Sequence, residues 1–302
     1  MKRYTGVWLA LALMACAAKM HARKAAAPQE PAPASPSTIV LPPKIVAGER
    51  GTLAVLDSAG RLVSGAAVDI SGGGQIQTDA TGRGTFVAPN QAGVMTAGLA
   101  NHATFTTAIV PAPSEPAQQP PATASAASTA QADFSRIVFP QMIALGDRLT
   151  LEGAGFRGDA QLDNVFLGDQ PALVLAASSI ALVALPNPHT VLGKTQLSVE
   201  AGGHSLVRAL VTVVALDVTG PTKLLSAGKN GILAVEVNGT DEPVAIEVRN
   251  LSPDVVRLPQ GNVAEVKTSG GKTNVAKIGL SGIKTGDYAI SAHLVSRGAG
   301  AP

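Results

Sequence analysis

Cysteine, aromatic residues and charge are scarce in this 302-residue sequence, which has one cysteine, one tryptophan and two tyrosines. With Cys16 as its single cysteine, the chain has no internal disulfides, no cysteine-based zinc site and no thiol catalysis in its body. Charged residues form only 15% of the chain, unlike a coiled coil or an acidic disordered protein. No segment reaches 18 consecutive apolar residues, so we predict no membrane-spanning helix.

The balance of charge argues against nucleic-acid binding. Removing Lys2 and Arg3 with an amino-terminal signal leaves 21 of the 23 basic side chains, equal to the 21 acidic ones. A neutral chain offers no basic face for phosphates. The five histidines form no His-x-His or His-x-x-x-His pair, so we predict neither a metal site nor a cofactor.

Residues 1–16 have the features of an export signal. Lys2 and Arg3 precede the apolar run Gly6–Ala15, which would span about 15 Å as a helix, half of a bilayer core. The run ends in Leu13-Met14-Ala15-Cys16, which resembles a bacterial lipobox. The resemblance implies acylation of Cys16 and anchoring to a membrane surface.

Ordinary secretion, with cleavage near Ala17 or Ala22, is the alternative, and Cys16 would then be discarded with the signal. If Cys16 is lipidated, the residue after it is Ala17 and not aspartate. In the lipoproteins of a two-membrane bacterium, this implies the outer membrane.

Two Ala/Pro-rich stretches, residues 17–37 and 113–133, lack any periodic pattern and are predicted to be solvated linkers. The first would hold the body clear of the membrane, and the second would let the first module move independently. The remaining chain is predicted to form three all-β modules, at residues 38–112, 134–216 and 217–302, because short alternating apolar segments recur between turn residues.

The first module carries Gly65–Asp69 and Thr78–Phe86, which resemble the "G-A-x-V … T-D-x-x-G-x-x-x-F" stretch of bacterial Ig-like and carboxypeptidase-regulatory-like sandwiches. Val68 and Phe86 are predicted to face the core on neighbouring strands. Residues 79–82 are predicted to form a hairpin turn whose glycine adopts positive φ.

The second module resembles an IPT/TIG domain, an Ig-like sandwich. The matching positions are Pro140, Gly146, Gly153-Ala-Gly155-Phe156, Val165-Phe-Leu-Gly168, Pro186 and the strand from Gly193 to Val199. Leu149 and Leu151 alternate with polar residues, as expected of a half-buried strand. IPT/TIG domains occur in surface receptors, as accessory modules of enzymes and in transcription factors, so the resemblance implies binding in general.

The third module is predicted from pattern. Val235 and its neighbours alternate with polar residues, as do those around Ile246, and the turn-like segment 238–243 between them predicts a hairpin. Tyr288 leads into the last strand and resembles the corner tyrosine of many Ig-like modules. On this last strand, His293 is predicted to face solvent.

The most polar segment of the sequence, Lys267–Asn274, supplies the candidate contact site. It lacks the spacing of a nucleotide-binding Walker loop and is predicted to be an exposed hairpin loop. Loops at the ends of sandwiches commonly carry binding residues, so the site is predicted to be formed by Gly270, Gly271, Lys272, Thr273 and Asn274.

Oxygen ligands for calcium are a weaker possibility in the second module, where Asp159, Asp163 and Asn164 lie close in sequence. A solvated turn is favoured, because the spacing of an EF-hand loop is missing and such residues are common in turns. A carbohydrate site is disfavoured, because Tyr288 is the only Tyr or Trp that would remain after removal of the signal.

These observations predict three Ig-like sandwiches in an exported, non-catalytic protein that binds a partner protein in the cell envelope. Two alternatives remain open. The chain could be a structural subunit of a fibre, pilus or secretion assembly, or a hydrolase or hydrolase accessory with a site at a module junction.

Overall fold

The computed structural model describes residues 37–99, 104–112, 137–221 and 225–295. These residues form 21 strands and no helix, so the all-β prediction is confirmed. Within the same ranges, no helix long and apolar enough to cross a bilayer is found. Cys16, the predicted signal and both predicted linkers, except Ser37, lie outside the described residues.

The first sandwich packs two sheets around a core that includes Ile45, Leu53 and Met95, all fully buried. One sheet contains β1, β3 and β6, and the other has the order β2-β8-β7-β4-β5, with β2 parallel to β8. The strands are β1 (Thr38–Val40), β2 (Lys44–Val46), β3 (Arg50–Leu56), β4 (Ala67–Ile70), β5 (Gly74–Gln77), β6 (Arg83–Val87), β7 (Gly93–Leu99) and β8 (Thr104–Val110).

Val68 and Phe86 are both buried in this core, but the prediction that they lie on neighbouring strands is wrong. Val68 lies on β4 and Phe86 on β6, in opposite sheets. The turn at residues 79–82 forms as predicted, with Gly82 at φ +72° and its N–H donating to the Asp79 carbonyl. It joins β5 to β6, which do not pair, so it crosses between sheets and is not a hairpin turn.

The second sandwich is built on strands β9 (Met142–Ala144), β10 (Leu149–Glu152), β11 (Asp163–Leu167), β12 (Gln170–Ala177), β13 (Ala181–Leu185), β14 (Gly193–Ala201) and β15 (His204–Thr219). Strand β12 pairs first with β11 and then with β13, so it contributes to both sheets. Leu149 and Leu151 are buried as their alternation predicts. Phe156 enters the core directly after Gly155, whose φ of +104° favours glycine.

The third sandwich begins within β15, whose residues 215–219 pair with β16. Its other strands are β16 (Asn230–Asn238), β17 (Ala245–Asn250), β18 (Val256–Arg257), β19 (Val263–Lys267), β20 (Val275–Gly282) and β21 (Ile290–Leu294). Val235 and Ile246 are fully buried, as predicted. The predicted hairpin is wrong, because β16 lies in the sheet with β20 whereas β17 lies between β19 and β21 in the opposite sheet. The predicted module boundary at 216/217 falls inside β15.

The first and second sandwiches are joined by hydrogen bonds that are wholly or partly buried. Thr52 Oγ1 donates to the Gly158 carbonyl at 2.8 Å, and Ser178 Oγ donates to the Lys44 carbonyl at 2.7 Å. Thr52 also pairs with Ala177, so β3 and β12 continue one sheet across the junction. An apolar cluster spans both sandwiches, comprising Val40, Ala54, Leu56, Leu175, Ala176 and Val183.

The expectation that the first module moves independently is therefore wrong for this structure. A linker by itself permits movement, but burial of apolar side chains and of these hydrogen bonds favours the docked arrangement. The Arg83 guanidinium adds two hydrogen bonds, at 2.7 and 3.0 Å, to the Val174 carbonyl across the same junction.

The second and third sandwiches share β15 and are also linked by a side-chain contact. His293 Nδ1 lies 2.7 Å from Asp147 Oδ1, and the Leu294 N–H donates to the other carboxylate oxygen at 3.2 Å. The His293 side chain is 45% exposed, so it faces solvent in part, as predicted, but it also contacts Asp147. The contact fixes the loop between β9 and β10 to the last strand.

Candidate functional site

The predicted contact loop follows β19 and is held by the side chain of Asn274. Its amide nitrogen donates to the Thr240 and Glu242 carbonyls at 3.0 and 2.7 Å, while its Oδ1 accepts from the Gly270 N–H at 2.9 Å. Asn274 is only 2% exposed. Its side chain therefore supports the loop from within and is not itself on the contact surface.

The exposed part of the loop is Gly271, Lys272 and Thr273. The Gly271 N–H donates to the Asp241 carbonyl at 2.7 Å, which ties the loop to the turn at 239–243. Gly270 and Gly271 adopt φ of +71° and +78°, so the sequence places glycine where the backbone needs left-handed conformations. The Lys272 ammonium has no ion-pair partner among the residues described in the structure.

A third loop, between β13 and β14, contacts the turn at 239–243. A methyl group on Gly239 would lie 3.1 Å from Leu192 Cβ, so the two loops are in contact. Val191 beside it is 76% exposed, and Leu192 is 37% exposed. We call the exposed residues of loops 187–192, 239–243 and 269–273 the end surface.

Val191 and Leu192 were not predicted to contribute to this surface. Their signal was present, because two apolar residues follow a Pro-Asn-Pro turn without the alternation of a strand. Their contact with the 239–243 turn could not be predicted from the sequence, because it depends on how β15 joins the second and third sandwiches. The end surface thus combines an apolar pair with Asp241, Glu242 and the free charge of Lys272.

This arrangement suits contact with a protein surface. Interfaces commonly combine an apolar centre with a polar rim, and loops that are already ordered lose less entropy on binding. Within the described ranges, no three His, Cys, Asp or Glu side chains come together as a metal-ligand set.

The acidic residues considered for calcium take separate roles. Asp159 Oδ1 accepts from the Gln161 N–H at 2.9 Å, as in a local turn. Asp163 is 2% exposed, and both of its carboxylate oxygens lie 3.2 Å from the Arg157 backbone nitrogen. Asn164 is exposed on β11. Burial, with a smaller contribution from the charge of Asp159, raises the pKa of Asp163 to about 6, against the lowering effect of the Arg157 hydrogen bond and charge.

The Asp163 carboxyl should make stability fall as pH rises from about 4 to 6. Its pKa of about 6 in the folded chain exceeds the ordinary value of 3.8, so the folded state holds more protons in this window. The loss is on the order of 2–3 kcal/mol. We expect Asp163→Asn to flatten this part of the curve of unfolding free energy against pH, measured by urea denaturation. Asp169→Asn, at an exposed position in the same sandwich, should keep the wild-type slope; equal slopes in all three proteins would contradict the prediction.

Comparisons with known proteins give no family for this chain. No protein-family profile matches it, and no curated protein matches it. Among solved structures, it is similar to a Bacteroides ovatus protein, SGBP-B of a mixed-linkage glucan utilization locus, in complex with a heptasaccharide. That match has 8% identity and a TM-score of 0.28, and covers 85% of this chain and 74% of that one.

Two further structures show similarity at the same low level. The surface layer protein SbsC, domains 4–9, has 12% identity and a TM-score of 0.23, covering 74% of this chain and 43% of that one. The Yersinia pseudotuberculosis adhesin InvE has 16% identity and a TM-score of 0.19, covering 53% and 59%. At these scores, none of the three supports an inference about the ligand or role of this chain.

Proposed function

We propose that this chain is a non-catalytic cell-envelope protein that binds a partner protein through the end surface. The observation that carries the proposal is the loop at Gly271–Thr273, which holds Lys272 without an ion-pair partner among the described residues. The loop is hydrogen-bonded to the 239–243 turn, which in turn contacts Leu192, the neighbour of the exposed Val191. An ordered loop with a free charge, on a surface that also exposes an apolar pair, is suited to specific contact.

We further propose that the chain is exported and anchored through an acylated Cys16, in the outer membrane where the host has one. The lipobox resemblance at Leu13–Cys16 supports this part of the proposal. The Ala/Pro-rich stretch 17–37 would set the distance between the membrane and the sandwiches.

Photo-crosslinking in the native host tests the binding role. A photoreactive residue in place of Val191 or of Lys272 is expected to give an adduct with the same partner protein. Ile232 provides the matched control. It is an apolar residue, 61% exposed, and it lies on strand β16 and not in the loops of the end surface. Substitution of Ile232 should give no such adduct.

A charge reversal tests the role of Lys272 within the same experiment. We expect Lys272→Glu to reduce the Val191 adduct by about 2- to 5-fold, the effect of losing one exposed charge pair. Equal yields of the adduct from the photoreactive residue at Val191, Lys272 and Ile232 would contradict specific binding through the end surface. An adduct made only of two copies of this chain would instead favour the structural-subunit alternative.

A further inference from the structure

The outer edge of β6 is free of backbone pairing. Among the strands that the structure describes, β6 pairs only with β3, and the bond from the Ala88 N–H to the Glu49 carbonyl, at 2.8 Å, fixes which residues face that partner. In an antiparallel ladder, successive residues point their backbone groups to opposite sides. Thr85 and Val87 therefore direct their N–H and C=O groups away from β3, and neither has a backbone partner among the described residues.

An open groove of about 940 Å³ runs along this edge. One side is formed by Ile76 of β5 and the glycine turn before it, and the other by Thr85–Gln91. Strands β5 and β6 belong to different sheets and do not pair, so the groove lies where the sandwich is open. Val87 is 53% exposed beside it.

Arg50 gives the groove a positive charge. It is exposed, lines the groove, and has no ion-pair partner in the part of the chain that the structure describes. No carboxylate is present among the groove residues, which are Arg50, Gly72, Gly73, Ile76, Thr85, Phe86, Val87, Ala88, Pro89, Asn90 and Gln91. A ligand that brings its own carboxylate would complement this charge.

We propose that the free edge of β6 accepts an extended strand of a partner protein, with a carboxylate of that strand facing Arg50. The unpaired groups of Thr85 and Val87 are about 6.6–6.8 Å apart along the strand, the spacing at which a further strand pairs. A second copy of this chain is disfavoured as the occupant, because its own groove supplies no carboxylate. This surface lies on the first sandwich and is separate from the end surface, so either proposal can fail alone.

Backbone amide exchange, measured by NMR on the whole chain, tests the proposal with defined probes. The probes are seven soluble heptapeptides of alternating threonine and valine, each with one glutamate at a different position. We expect at least one of them to slow exchange of the Thr85 and Val87 amides by tenfold or more. The same peptide methylated on the backbone nitrogens that pair should give no protection, because those nitrogens no longer donate.

Val87→Pro should abolish the protection, because proline removes the free donor without breaking a bond to β3. Val263→Pro is the matched control and should keep the protection. Val263 is an exposed valine on β19, and the backbone groups of its odd-numbered residues likewise point away from β17, the only strand that pairs with β19 among the described residues. Arg50→Gln provides a second test that leaves the edge intact. It should weaken binding of the glutamate peptide by about 2- to 5-fold and leave binding of a glutamine analogue unchanged.

Absence of protection with all seven peptides at millimolar concentration would overturn the proposal, as would equal protection by the methylated peptide. Protection that survives Val87→Pro would also overturn it. A dimer of the free protein that Val87→Pro dissociates would assign the edge to a second copy and contradict the choice of a partner strand.

Discussion

Gly158→Ala is expected to disrupt the docking of the first sandwich on the second, lowering the free energy of unfolding by about 3 kcal/mol or more. A Cβ at this position would lie 2.4 Å from the Arg50 carbonyl oxygen, and the backbone φ of +70° is one that alanine rarely adopts. The obstructing atom belongs to the backbone of β3, so it cannot move aside as a flexible side chain would. The Gly158 carbonyl is also the acceptor for Thr52 Oγ1.

The control for this substitution is Gly60→Ala. Gly60 has a similar φ of +76°, but a methyl group there would meet no atom within 4 Å. It should cost only the backbone strain, about 1–2 kcal/mol. Urea denaturation gives both values, and small-angle scattering should show a larger radius of gyration for Gly158→Ala alone. Equal losses of stability and unchanged scattering would contradict the docked junction.

Asn274→Ala is expected to cost about 2–4 kcal/mol, because it leaves three backbone groups without their partner. Those groups are the Thr240 and Glu242 carbonyls and the Gly270 N–H. The loop at 269–273 should then lose its order, which hydrogen exchange of the Gly270 and Gly271 amides would report. Binding through the end surface should weaken even though Lys272 is still present.

Thr273→Ala serves as the matched control, since Thr273 is exposed in the same loop and its side chain makes no hydrogen bond to the described residues. Its effect on the free energy of unfolding should stay within about 0.5 kcal/mol. If both variants have the same stability and the same amide exchange, Asn274 does not support the loop.

The alternation of apolar residues was enough to identify the core. Leu149 and Leu151, and likewise Val235 and Ile246, are buried because a period of two places such residues on one face of a strand. Alternation does not specify which strands pair. Val68 and Phe86, predicted to lie on neighbouring strands, lie in opposite sheets, and the segments around Val235 and Ile246 are separated in the same way.

The junctions and the end surface depend on contacts that are remote in sequence. Thr52 and Gly158 are 106 residues apart, and the partners in the Asp147–His293 contact are 146 residues apart. No local pattern reports such pairs. The exposure of Lys272 was predictable from the polar, glycine-rich loop. The internal role of Asn274 was not, because it requires the approach of the 239–243 turn.

The most direct test of the envelope-anchored account is the intact mass of the native protein, measured with its distribution between membrane and soluble fractions. The account predicts a mature chain that begins at Cys16, carries the mass of acyl groups and sediments with membranes. Cys16→Ser should lack the added mass and leave the membrane fraction. A soluble wild-type chain that begins after Cys16 and carries no acyl mass would contradict the account.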